Sequence, residues 1–152
     1  MRFIKNLLSG KRPKRISHPV IGKAFLVESE YGSYWQAEPQ VAGRRFSLAI
    51  YTIGCQEPTE PQIELFQRYA RDMAVAFAKA SALLIGEYEK NVLPPFPASW
   101  QEASQLVGMS VPLDADETNP WDLSFECLHD RRRSIYTCSF EAGTPSEVRF
   151  DR

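Results

Sequence analysis

Apolar and polar side chains alternate one by one along residues 121–127. Trp121, Leu123, Phe125 and Cys127 fall on one side of an extended chain, and Asp122, Ser124 and Glu126 on the other. A charged turn, His129-Asp130-Arg131-Arg132-Arg133, separates this run from a second alternating one, Ile135 to Phe140. Period-two alternation buries one face of a strand and wets the other, so the pair predicts a hairpin of an antiparallel sheet with one solvated side. Earlier strand signals at 24–28, 33–37 and 44–53 are divided by turn residues at 30–33 and 40–43, which predicts a three-stranded meander. Further strands are expected at 109–113 and 147–150, the last after the turn Gly143-Thr144-Pro145.

Between these groups the period changes. Phe66, Ala70, Met73, Phe77, Ala80, Leu84 and Tyr88 recur at spacings of three and four, the apolar stripe of a helix that packs on a sheet. Such a stripe of Met and aromatic residues reads as core, not as a cofactor box. Its start is marked by Thr59-Glu60-Pro61-Gln62: Thr59 can accept from the free amides, Gln62 can reach back, and Pro61 sits where no amide partner is needed. Leu93-Pro94-Pro95-Phe96-Pro97 ends it. A second capping pattern, Ser99 with Glu102, and Gly108 beyond it predict a short second helix.

The expected architecture is therefore α+β: an antiparallel sheet of about six or seven strands, one long helix packed on one face, and a short second helix. Residues 18–152 form the domain. Residues 1–17 carry Arg2, Lys5, Lys11, Arg12, Lys14 and Arg15 with few apolar anchors, and read as a basic arm, either mobile and solvated or a short amphipathic helix.

Composition adds boundaries to this picture. With 152 residues, 43% apolar and 24% charged, the chain can bury a core, and neither disorder nor a membrane span is indicated. Eighteen basic against nineteen acidic side chains give a net charge of −1, with no overall attraction for nucleic acid or anionic lipid. The apolar run at 3–8 is too short and interrupted for a signal peptide, so a cytoplasmic location is expected. Cys55, Cys127 and Cys138 lack metal-ligand spacing and fit reduced thiols. A hairpin centred between Arg132 and Arg133 sets Cys127 opposite Cys138, which leaves either buried thiols or a disulfide open.

Candidate chemistry is sparse. His18 and His129 carry no catalytic signature, and the drawable thiol constellation is Cys138 with His129 and Asp130. The glycines stand singly, so no phosphate loop is formed. Asp114, Asp116, Glu117 and Asp122 are acidic, yet the alternating ligands, central glycine and distal glutamate of a calcium loop are missing; they read as a solvated turn. No cofactor or metal is expected. Arg131, Arg132 and Arg133 read either as an exposed hairpin tip or as a phosphate grip; without interleaved aromatics the first is favoured over nucleic-acid binding. Surface aromatics remain: Tyr31, Tyr34, Trp35 and Tyr51 lie on or near early strands, where alternation turns some of them outward as interface anchors. The acidic turn beside Trp121 offers a second patch for a basic partner surface.

The order of features resembles small bacterial domains grouped with immunity proteins of polymorphic-toxin and contact-dependent secretion systems. The residues that carry it are His18-Pro19 with Gly22, Trp35, the strand 46–53, the long helix, Trp121-Asp122-Leu123-Ser124-Phe125, and the ending Pro145-Ser146-Glu147-Val148-Arg149-Phe150-Asp151. It runs from about residue 18 onward and leaves the basic arm outside. The resemblance implies a non-catalytic domain that neutralises a cognate protein toxin by tight complex formation, and it supplies no catalytic residues. A small enzyme working through Cys138, His129 and Asp130 is the alternative.

Overall fold

In the computed structural model, residues 12–151 are described. An eight-stranded sheet has the order β1 (Arg15–His18), β2 (Gly22–Ser29), β3 (Gly32–Ala37), β6 (Ser47–Thr52), β7 (Ser104–Val111), β8 (Trp121–Cys127), β9 (Ile135–Glu141) and β10 (Thr144–Asp151). A separate small ribbon joins β4 (Gln40–Val41) to β5 (Arg44–Arg45) through Ala42 and Gly43, both at positive φ. Two α-helices lie between β6 and β7: α1 (Glu60–Arg71) and α2 (Met73–Asn91).

The fold is α+β, and three details differ from expectation. The sheet has eight strands, because Arg15–His18 pairs with β2 and extends the edge; main-chain bonding recruits a polar segment that periodicity does not mark. The described end of the basic segment, from Arg15, thus belongs to the sheet, whereas residues 1–11 lie outside the described residues. Second, β6 and β7 are parallel, the remaining pairs of this sheet antiparallel. The connection between them carries both helices across the sheet, and such a crossover returns the chain in the same direction.

Third, the expected single long helix is two. Asp72 caps both ends of the break: its amide donates to Arg68 O and its carboxylate accepts from Val75 N at 3.3 Å. The apolar stripe continues across it, with Phe66, Phe77, Ala80, Leu84 and Tyr88 buried. The expected short helix between Ser99 and Gly108 is only a capped turn. Ser99 Oγ does accept from Glu102 N at 3.4 Å, but Ser104 already belongs to β7.

Gly108 therefore sits inside a strand, where a β-carbon would come within 2.9 Å of the Ser47 carbonyl oxygen on β6. Close approach across the parallel pair requires glycine there. Gly108→Ala is expected to cost about 1–3 kcal/mol through overpacking against backbone that cannot swing away. Urea unfolding measures this, and an unchanged midpoint contradicts it.

Both helices cover one face of the sheet. Phe66 meets Phe46, Tyr69 meets Trp121, Phe77 meets Phe125, and Tyr88 meets Tyr136, all with ring centroids within 6.3 Å. Trp35, Leu48, Ile50, Val111, Leu123, Cys138 and Phe140 complete that buried layer. Among the described residues no helix lies on the opposite face, and no described helix is long and apolar enough to cross a membrane.

Candidate functional site

Strand register sets what the sheet face opposite α1 and α2 displays. One row runs Phe25, Gln36, Ala49 and Ser110 across β2, β3, β6 and β7, and the next runs Val27, Tyr34 and Tyr51. Tyr34 and Tyr51 meet edge to face with centroids 6.2 Å apart. Phe25, Val27, Tyr34, Ala49 and Tyr51 make this half of the face largely apolar, and each of them is half-buried. Burial, and then the negative charge of Asp122, push the Tyr51 phenol above its ordinary pKa, so it is a neutral hydrogen-bonding group.

The other half of the face is polar. Ser110 Oγ accepts from the Asp122 amide at 2.7 Å, and the Asp122 carboxylate accepts from Ser139 Oγ at 2.6 Å with Arg149 at 3.8 Å. Ser124 and Thr137 hydroxyls bond across β8 and β9 at 2.9 Å. Glu126 holds Arg44 at 3.0 Å and Arg133 at 3.6 Å. The result is a seam in which polar groups largely satisfy one another beside an apolar patch on the face opposite α1 and α2.

The residues singled out by sequence are not one cluster. Tyr34 is on the apolar half of the face, and Tyr31, 81% exposed, stands at the β2–β3 turn nearby. Trp35 is not at the surface: it is fully buried, and its indole donates to Gln56 O at 2.7 Å. Neighbours in a strand point to opposite faces, so an outward Tyr34 requires an inward Trp35.

Asp114, Asp116 and Glu117 lie in the loop after β7, and their roles diverge. Asp114 is exposed at positive φ. Asp116 accepts from the Thr118 amide at 3.0 Å and hydroxyl at 2.7 Å, which holds its carboxyl below the usual range. Glu117 turns inward to the Tyr69 hydroxyl, to Lys79 at 3.1 Å and to Arg68 at 3.6 Å. Partial burial raises its pKa, but these three partners outweigh burial and hold it below the usual carboxylate range. Among the described residues, no three His, Cys, Asp or Glu side chains come together to hold a metal.

A folded-state pKa below the unfolded one means that the stabilisation from Glu117 is complete above the unfolded value and is lost as pH falls through the folded value. The acidic loop is therefore expected to loosen below the ordinary carboxylate range. Urea unfolding across that range should show a shallower acid loss in Glu117→Gln; identical acid limbs contradict the assignment.

Arg131, Arg132 and Arg133 occupy the β8–β9 turn, at the opposite end of β8 from the acidic loop. Seven strand residues separate the two ends by about 20 Å. Asp130 sets the turn: its carboxylate accepts from Arg132 N at 2.9 Å, its carbonyl accepts from Arg133 N, and Arg133 takes positive φ. The register that follows pairs Leu123 with Cys138, so Cys127 and Cys138 do not face each other, and all three cysteines are free. Cys138 is four residues along β9 from Ser134, about 13 Å from the turn that holds His129 and Asp130. Its thiol is fully buried, and burial followed by the Asp122 charge pushes it up to about 12. The three residues of the drawn thiol constellation are not assembled.

Phe25, Val27 and Ile53 are surface residues that sequence reasoning did not single out. A signal for the first two was present, since residues 24–27 are apolar without alternation, the mark of a strand with two apolar faces. No protein-family model, curated protein or solved structure matches this chain.

Proposed function

We propose that the chain is a non-catalytic protein-binding domain of the immunity type, which captures a partner protein on the sheet face opposite α1 and α2. The observation that carries this reading is the row of Val27, Tyr34 and Tyr51 on the side of the sheet opposite the two described helices. A patch of half-buried rings on a rigid sheet loses little conformational entropy on docking, and aromatic anchors rimmed by polar groups are the usual centre of protein interfaces. Tyr31 and Ile53, the latter 62% exposed, stand at the same end and extend the apolar area. Asp122 borders the patch and Asp114 and Asp116 lie in the loop after β7, a charge arrangement suited to a basic partner such as a nucleic-acid-directed toxin.

Affinity capture from the producing organism tests the reading. The wild-type chain is expected to retain one protein at near-equimolar ratio in moderate salt. Val27→Arg, which points outward and leaves the core untouched, is expected to lose that partner by at least about tenfold while keeping its circular-dichroism spectrum. Equal capture by the variant contradicts the proposed face.

A further inference from the structure

At the other end of the sheet, the segment after α2 and the β8–β9 turn form the two walls of a groove of about 740 Å³. His129 Nε2 lies 2.9 Å from Pro95 O and ties the walls together, and the imidazole packs edge to face on Trp100 with centroids 5.9 Å apart. Phe96 rests on the same indole at 5.7 Å. Leu93 receives no such cover: it is 86% exposed on a proline-stiffened loop. An isolated exposed leucine is ordinary, but here it stands over a groove lined by Val92, Pro94 and Phe150 and faced by arginines.

The three arginines differ in what they have to offer. Arg133 is drawn to Glu126 at 3.6 Å. Arg132 is attracted to Asp130, whose carboxylate is already engaged by the turn amide. Arg131 is exposed and has no ion-pair partner among the described residues, although it lines the groove.

We infer that this groove docks an extended acidic peptide segment, with an apolar side chain set against Leu93 and carboxylates taken by Arg131 and Arg132. The charge complementarity is local and limited. Two guanidiniums at the groove match two carboxylates, whereas a nucleic-acid strand needs a longer track of cations. Arginine, with its planar fork, is also the side chain best fitted to hold a carboxylate through paired bonds. The site is separate from the proposed sheet face, at the far end of β8, so one can fail without the other.

Panning a random peptide library on the whole chain tests the inference, followed by titration of an enriched peptide. Enriched sequences are expected to carry Asp or Glu next to Leu or Phe. They should bind at least about tenfold more weakly to the Arg131→Glu/Arg132→Glu variant, and more weakly to Leu93→Ser. Val27→Arg should bind them unchanged. Absence of enrichment, enrichment without acidic residues, or affinity indifferent to the arginine reversal overturns the inference. So does a single-stranded oligonucleotide that binds this groove while the peptides do not.

Discussion

Replacing Trp121 with alanine is expected to lower stability by about 4 kcal/mol. Trp121 joins three parts of the structure. Its ring stacks on Phe140 at 4.5 Å and packs on Tyr69 of α1 at 5.3 Å, and Lys79 of α2 approaches its face at 5.6 Å. Its indole nitrogen also donates to Glu117 O at 3.3 Å. Truncation opens a cavity between sheet and helices and frees the acidic loop at the same time. Trp121→Phe, which keeps a ring but loses the donor and part of the volume, should fall between the two. Urea unfolding gives the comparison, and a loss below about 1.5 kcal/mol for the alanine variant contradicts the role assigned to this ring.

Gln62→Leu is expected to cost about 2–4 kcal/mol, despite similar size and greater apolarity. Gln62 is 2% exposed, and its side-chain amide donates to Tyr51 O at 2.7 Å and to Pro112 O at 3.1 Å. Its carbonyl oxygen accepts from Thr59 N at 3.1 Å. Leucine leaves two buried carbonyls and one helix-start amide without their partner, and so loosens α1 from both β6 and the loop after β7. Gln62→Glu keeps the acceptor for Thr59 but sets a carboxylate against the two carbonyls. That variant should be less stable at neutral pH than in mild acid, where a protonated carboxyl can donate. A leucine variant as stable as wild type removes Gln62 as the joint.

Gln62 also shows which part of the fold was legible in the chain. The capping pair Thr59 and Gln62 was readable because it involves residues three apart, and both of its bonds are present. The second role of Gln62, bridging to Tyr51 and Pro112, depends on partners 11 and 50 positions away that no local pattern names. The same division recurs elsewhere. Alternation located β8 and β9, but the hairpin register turned on Asp130 folding its own turn, which moved Cys138 opposite Leu123. The apolar stripe located the helical region, but Asp72 caps locally and splits it. Ser99 caps as expected, yet the strand pairing of 104–111 ends the turn at once.

The binding surface was less visible than the core. Tyr34 was a candidate because it is aromatic and in a strand, and Trp35 was a candidate for the same reason; only register sends one outward and the other inward. Phe25 and Val27 were not singled out, since an apolar side chain on that face has the same letter as one beneath a helix. The acidic residues likewise separate only in three dimensions, with Glu117 bound to Tyr69, Lys79 and Arg68 while Asp114 faces solvent.

Side-chain oxidation footprinting of the captured complex tests the central claim most directly. If the sheet face opposite α1 and α2 is the interface, Tyr34 and Tyr51 lose reactivity on complex formation, while exposed Phe96 and Leu93 at the far end stay as reactive as in the free chain. Unchanged reactivity of Tyr34 and Tyr51, with the partner stably bound, contradicts the account and moves the interface elsewhere.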